Sequence, residues 1–192
     1  LVARGLHAVD DARRFLSPRL QDLTRPDAMA DRDVAATRLA DAVKRRERVV
    51  VFGDYDVDGI TSASLLTRVL RRLGGDVVAM VASRFDGGYG LSDAALTRVL
   101  AARPTVVVTC DCGTSDHPRL MRLRELRIDA IVVDHHKVPD EALPALAFLN
   151  PHRPDCAFPY KHLASVGLAF SVAAAVRAKL NATLDLRGLL DL

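Results

Sequence analysis

The sequence predicts an α/β fold, a mainly parallel five-stranded sheet with helices on both faces, preceded by N-terminal helices. Three observations predict it. Runs of four to seven mostly apolar, β-branched residues recur along the chain. Each of the first three is followed by a loop and a stretch with apolar residues at helical spacing. Each of the first four ends in a loop rich in aspartate, histidine or glycine. Strands apolar on both sides, alternating with amphipathic helices, signify a parallel sheet covered on both faces.

The elements follow in order. Residues 1–48 read as an Arg-rich helical segment, with Ala35, Leu39, Ala42 and Val43 on one face and Asp31 or Asp33 as a cap. "VVVF" (49–52) is the first strand and "ITSASLLTRVLRRLGG" (60–75) the first crossover helix, striped by Leu65, Leu66, Val69, Leu70 and Leu73 and closed by Gly74. "DVVAMVA" (76–82) leads through "SRFDGGYG" into the helix "LSDAALTRVLAAR". "TVVVTC" (105–110) leads through "DCGTSDHP" into "RLMRLRELR". "DAIVVD" (129–134) is followed by "HHKVPDEALP", and "LAFLN" (146–150) stops at Pro151. A last helix, too apolar for a surface position, runs from about Ser165 to Leu180.

Composition bounds the function classes. The chain has 192 residues, 49% of them hydrophobic, enough for one domain with a real core. The longest apolar runs fall far short of the roughly 18–20 residues that span a bilayer. No basic, then apolar, leader opens the chain, so the cytoplasm is the default compartment. The three cysteines include the C-x-C pair Cys110 and Cys112, which lacks zinc-site spacing and reads as reduced core thiols. Residues 1–48 hold 11 Lys/Arg against 8 Asp/Glu, and the rest is balanced at 16 against 16. That excess permits a polyanionic partner without requiring one. Leucine at position 1 and the apolar ending "DLRGLLDL" read as a fragment of a longer protein, a processed or truncated chain being the alternative.

The chemistry collects at the strand ends. Asp54, Asp56 and Asp58 follow the first strand, Arg84 and Gly87–Gly90 the second, Asp111 and Gly113 the third, and Asp134, His135 and His136 the fourth. In open parallel sheets those carboxyl ends line one crevice. Close-packed carboxylates repel, and a cation among them relieves the repulsion. Oxygen and imidazole donors without exposed sulfur suit Mn2+ or Mg2+. Five carboxylates call for two ions, the arrangement that clamps the attacking and leaving oxygens of a phosphoryl displacement. The D-x-D-x-D-G run is not a calcium loop, because an EF-hand needs glutamate where Leu65 stands and an entering helix rather than a strand. Alone, Asp111 would read as a helix N-cap, and His135 and His136 as a surface pair. "SRFDGGYG", with Arg84, Gly87 and Gly88, is either a phosphate cradle or a flexible turn, and the amides from Gly59 to Ser62 are a second candidate anion site. Lys137, Arg153 and Lys161 read as solvated charges and His152 as structural.

"GDYDVDGITSASLL", "TCDCGTS" and "VVDHHKVP" resemble the first three motifs of the DHH phosphoesterase superfamily. "RFDGGYGLS", "NPHRPDCAFPYKHLASVGLAF" and the terminal "LLDL" are closer still to its bacterial single-strand-specific 5′-to-3′ DNA exonucleases. The resemblance implies that Asp56, Asp58, Asp111 and His135 bind a pair of Mn2+ or Mg2+ ions, Asp111 bridging, with Asp54 a weaker candidate. It places His136 near the scissile phosphate, with Asp134 orienting its histidine neighbours. Gly113 joins Arg84, Gly87 and Gly88 as a candidate substrate contact. The reaction implied is in-line attack by activated water, releasing 5′-mononucleotides in DNA repair and recombination. Partners implied are single-stranded DNA, single-strand-binding protein and a helicase, with no membrane.

Two departures stand out. Phe52 occupies a position where many members carry a histidine ligand, and Asp54 is the candidate replacement. The chain also ends before the fourth motif's aspartate. The reading therefore takes 49–192 as a DHH catalytic domain cut before that motif, without its DHHA1 and OB-fold domains and weakly active or inactive alone. Alternatives are a DHH phosphodiesterase of short oligonucleotides or cyclic dinucleotides, and a non-catalytic DHH-like replication scaffold. A dinucleotide-binding domain is disfavoured, since carboxylates fill the place of a G-x-G-x-x-G loop.

Overall fold

A computed structural model of the protein describes residues 1–17, 19, 26–85 and 87–190. Its five strands are β1 (Arg48–Gly53), β2 (Asp76–Val81), β3 (Val106–Cys110), β4 (Asp129–Val133) and β5 (Ala147–Leu149). They form one sheet in the order β2-β1-β3-β4-β5, every pair parallel. The helices are α1 (Val9–Leu16), α2 (Arg32–Arg45), α3 (Val57–Arg72), α4 (Asp93–Ala101), α5 (His117–Glu125) and α6 (Ser165–Lys179). The chain moves from β1 to the edge strand β2, then returns across β1 to β3. Between β1 and β3 the winding reverses, and there the crossing loops part to leave a crevice.

Alternation along each strand divides the core in two. Val49 and Val51 of β1, Val106 and Val108 of β3, and Ile131 and Val133 of β4 face one side. There they pack on α2, α3 and α6 through Leu39, Leu66, Leu70, Leu168 and Val172. Val50, Phe52, Val107 and Val132 face the other side, against Leu96 and Val99 of α4 and Leu120 and Leu123 of α5. Phe52, fully buried in that second cluster, is a core residue and takes no part in the crevice. The apolar α6 is placed as expected, packed on both α2 and α3.

Several local expectations change. Neither Asp31 nor Asp33 caps α2 through its side chain; Asp31, at the N-cap position, instead accepts from the Phe148 amide at 3.0 Å and from Arg153. Arg153 is thereby held in a structural ion pair with Asp31 and Asp155, away from phosphate duty. Lys161 donates to the Cys156 carbonyl at 2.9 Å. The Arg-rich front segment is α1 and α2 with short turns, and residues 18 and 20–25 of it lie outside the described residues, as do the last two residues of "LLDL". Among the described residues no helix is long and apolar enough to cross a membrane.

α3 begins at Val57, three residues earlier than its apolar stripe indicates, because Asp56 caps it by accepting from the Gly59 amide at 2.9 Å. That turn brings the start of α3 onto the end of β1. A Cβ on Gly59 would lie 2.5 Å from the Asp54 nitrogen, and one on Gly53 would lie 2.4 Å from the Gly59 carbonyl oxygen. Backbone cannot yield as a flexible side chain can. Gly59→Ala is therefore expected to lower stability by at least about 2 kcal/mol, read by urea unfolding, through overpacking at this junction. An unchanged midpoint would show that the junction relaxes freely.

Candidate metal centre

The sheet's own hydrogen-bond ladder sets the deepest carboxylates. Asp54 donates its amide to the Cys110 carbonyl at 3.0 Å, Asp111 to Val133 at 2.9 Å and Asp134 to Leu149 at 3.0 Å. Each aspartate thus stands one residue past its strand, anchored by a last rung on the neighbouring strand. All three are buried, at 1%, 1% and 0% exposure. Asp111 takes a left-handed backbone, φ 60°, which turns the chain sharply off β3. Since α5 starts only at His117, Asp111 caps no helix.

Asp58, in the first turn of α3, reaches across to the start of α6. Its Oδ2 accepts from the Ser165 amide at 2.8 Å and its Oδ1 from the Val166 amide at 2.8 Å. This carboxylate satisfies the unpaired amides that open a helix and complements the positive end of its dipole. Ser165 uses its hydroxyl on the same side, donating to Asp111 Oδ1 at 3.0 Å. α6 is thereby locked to two of the crevice aspartates.

The Asp-His-His segment folds around Asp134. Its Oδ1 accepts from the amides of His135 and His136 at 2.8 and 3.2 Å and from His136 Nδ1 at 2.7 Å, while its Oδ2 accepts from the Thr114 amide at 3.1 Å. Asn150, fully buried after β5, donates to the His136 carbonyl at 2.8 Å. The histidines are so presented that His135 Nε2 lies 3.3 Å from Asp111 Oδ1 and 3.5 Å from Asp58 Oδ2. One donor atom each from Asp111, His135 and His136 fall within 4.8 Å of one another.

The loop after β2 closes the near side. Gly90 donates to Asp54 Oδ1 at 3.3 Å and Leu91 to Asp116 Oδ2 at 2.9 Å. Gly90 has φ 74°, and a Cβ there would meet Asp116 Oδ2 at 2.9 Å, so a side chain at this position would be strained. Tyr89 meets His136 edge to face, its Oη donating to the Asp111 carbonyl at 3.1 Å and standing 3.1 Å from His136 Nδ1. Arg84 stacks on the Tyr55 ring, 4.7 Å from its centroid, beside the fully exposed Phe85.

Equal burial has unequal electrostatic effects here. Burial pushes the Asp111 carboxyl up to about 8, with the charge of Asp58 and then of Asp56 adding to it and the Ser165 hydrogen bond opposing. Asp54 also rises, chiefly by burial. Burial would raise Asp134 too, yet its hydrogen bonds from Thr114 and His136 outweigh that and hold it below the usual carboxylate range. Burial works against charge on His136, but Asp134 first, then Asp111 and Asp56, raise its basicity overall. The Asp134–His136 hydrogen bond therefore favours the charged form of both groups, whereas burial and the neighbouring carboxylates disfavour the charged form of Asp111. A hard divalent cation fits that donor set: carboxylate oxygens and imidazole nitrogens, with Cys110 and Cys112 buried in the core.

The structure brings Asp54, Asp56, Asp58, Asp111, Asp134, His135 and His136 to one crevice, Asp111, His135 and His136 forming its tightest trio. Asp54, Asp56 and Asp58 stand just outside that trio, each tied to backbone: Asp54 to Gly90, Asp56 to α3 and Asp58 to α6. Of the candidate anion sites, the Gly59 amide is occupied by Asp56. The Gly88 amide turns back to the Ser83 carbonyl, and the carbonyl of Gly113 accepts from Asp116. Gly87 and Gly88 make the turn of the loop, both with positive φ. Sequence reasoning missed Tyr89, Thr114, Asp116, Asn150 and Ser165. Their signal was present only as polar residues in loops or at a helix start, which pattern reading treats as turn chemistry.

The N-terminal domain of the DHH family matches residues 48–191. The single-stranded-DNA-specific exonuclease RecJ of Bacillus subtilis is 33% identical over 180 residues, 94% of this chain and 23% of that protein. RecJ of Dickeya dadantii is 42% identical over 145 residues, 74% of this chain and 25% of that protein. The crystal structure of an exonuclease RecJ bound to manganese superposes with a TM-score of 0.72 at 32% identity, covering 80% of this chain and 39% of that one. The chain spans about a quarter of the length of these curated relatives.

The Asp111 environment sets a pH dependence. An aspartyl group in the unfolded chain titrates near 3.9. With the folded value raised to about 8, the native state binds the extra proton, so this group's contribution is greatest at low pH and is lost between pH 4 and 8. In metal-free protein, Asp111→Asn is expected to be more stable than wild type at pH 8 by about 1–2 kcal/mol, a figure reduced for the water that reaches the crevice. The gap should shrink to about a quarter of that by pH 5, since the unfolded carboxyl is protonated only below about 4. Urea unfolding in chelator at both pH values checks this, and an Asn variant less stable at pH 8 would contradict the repulsion.

Proposed function

The chain belongs to the DHH family, and from that premise we propose that it forms the metal-dependent catalytic unit of a 5′-to-3′ exonuclease that hydrolyses single-stranded DNA to 5′-mononucleotides. The observation that carries the reading is the convergence of Asp58, Asp111, His135 and His136, with Asp111 buried and its charge uncompensated. Residues 49–192 are the proposed DHH catalytic domain and residues 1–48 an N-terminal helical segment. The proposed partner is single-stranded DNA. Single-strand-binding protein, a helicase and a cytoplasmic setting belong to the same reading.

In this reading Asp54, Asp56, Asp58, Asp111 and His135 hold a pair of Mn2+ or Mg2+ ions. Once bound, such ions neutralise the carboxylates, polarise a phosphoryl oxygen and bring water within reach of deprotonation near neutral pH. The remaining roles fall to the polypeptide. Asp134, buried and bonded to two amides and a ring nitrogen of its neighbours, fixes His135 and His136 in place. Its bond to Nδ1 directs the other ring nitrogen of His136, Nε2, toward the crevice side as the group that meets the phosphate. Asp58 has a double task, since the carboxylate proposed for metal also seats α6. Arg84, Gly87, Gly88 and Gly113 are the proposed contacts to the strand, an assignment supported by their place on the loops bordering the crevice.

Two measurements test the reading. At about a hundred times its Kd, Mn2+ is expected to stabilise the fold by about 2.7 kcal/mol, seen as a rise in thermal midpoint, and Asp111→Ala to remove that rise. In the full-length protein, a 5′-phosphorylated, 3′-labelled single strand should shorten from its 5′ end with Mn2+, and Asp111→Ala should abolish the shortening. Intact DNA alongside cleavage of dinucleotides would replace the exonuclease with a small-substrate DHH phosphodiesterase. Loss of both would overturn the enzymatic reading.

A further inference from the structure

The phenol of Tyr89 has no task in the reading above. Its Oη donates to the main-chain carbonyl of Asp111 at 3.1 Å and lies 3.1 Å from Nδ1 and 3.4 Å from Nε2 of His136. A hydroxyl in line with one ring nitrogen would sit far from the other. The near-equal distances therefore describe an oxygen resting against the imidazole rather than a proton relay along one hydrogen bond. The two rings meet edge to face, centroids 5.6 Å apart at 77°.

The His136 side chain is 46% exposed, so burial does not hold it. Asp134 grips one point of the ring, at Nδ1. One hydrogen bond leaves a ring free to swing about it, and a second contact from another direction removes that freedom. Tyr89 can supply it because its backbone is fixed on both crevice walls. The next residue, Gly90, bonds to Asp54, and Leu91 bonds to Asp116 and is itself fully buried. A residue on the β2 loop thus reaches the β3 turn and the β4 histidine together.

We propose that Tyr89 is a positioning residue for His136. Its hydroxyl, hung from the Asp111 carbonyl, is the stop against which the imidazole rests, so that Asp134 and Tyr89 orient the ring from two sides. Removing the hydroxyl leaves the Asp134 hydrogen bond intact but frees the ring to take several orientations. The contact is independent of the exonuclease reading; only the kinetic consequence rests on it.

Tyr89→Phe, made in the full-length protein, keeps the ring and removes the stop. With Mn2+ and single-stranded DNA, kcat is expected to fall about tenfold while KM stays within about twofold. In a His136→Ala background the same change should have no further effect on kcat, because the residue acts through His136. Wild-type kcat in Tyr89→Phe, or an equal loss on both backgrounds, overturns the proposal. A second readout uses no activity: full-length protein labelled with 13C at histidine Cε1 and kept metal-free in chelator. The His136 resonance, assigned by its loss in His136→Ala, is expected to shift or broaden in Tyr89→Phe. An identical resonance overturns the proposal. Should the wild type not cut DNA, the exonuclease reading fails and this resonance alone decides the role of Tyr89.

Discussion

The structure depends on one constraint, the shared burial of carboxylates at the carboxyl ends of β1, β3 and β4. A parallel ladder extends one rung past each of these three strands, and the residue on that rung is an aspartate each time, Asp54, Asp111 and Asp134. Its amide is fixed by the neighbouring strand, which holds the residue at the sheet's edge with its side chain buried. Burying an ionised group costs several kcal/mol unless it is paired and hydrogen-bonded. How each aspartate meets that cost decides what it can do.

Asp134 meets it with donors. Three amides and an imidazole converge on its two oxygens, and its charge is kept. Asp111 has the Ser165 hydroxyl and two neighbouring carboxylates, which make matters worse. The difference is one of polypeptide-supplied donors, not of depth. A cation is what Asp111 lacks, and the imidazoles beside it are groups that can bind the same cation. Preorganising repulsive ligands lowers stability without metal and raises affinity for it, the familiar exchange of stability for function.

The surrounding elements follow from the same constraint. α6 starts where it does because Asp58 and Asp111 take up its first amides and hydroxyl. The loop after β2 returns to the crevice at its far end because Asp54 and Asp116 bind the Gly90–Leu91 corner. Gly53 and Gly59 let the end of β1 and the start of α3 touch backbone to backbone, which brings Asp56 and Asp58 to the same crevice. The likeness to manganese-bound RecJ extends over most of the chain, and the chain covers 39% of that structure, so the comparison concerns this unit and not a whole enzyme.

Much was legible in the sequence, for a physical reason. Strands buried on both faces need unbroken β-branched runs, and helices packed on a sheet need an apolar stripe, so the five strands, the crossover helices and the buried α6 are written in local composition. The aspartates and histidines were legible because polar groups at strand ends in a parallel sheet share one edge whatever the loops do. Local patterns did not reveal where α3 begins, since Asp56 as a cap overrides the first apolar position. Nor did they reveal Asp31 turning from α2 to the Phe148 amide and Arg153. Tyr89, Ser165, Asn150 and Asp116 were silent for a similar reason: each acts on a residue between 14 and 54 positions away. Sequence by itself thus determined the fold and that the aspartates and histidines of the strand-end motifs share one edge. Only the tertiary structure decided which carboxylate is satisfied and which remains uncompensated, because that depends on amides and hydroxyls delivered by other elements.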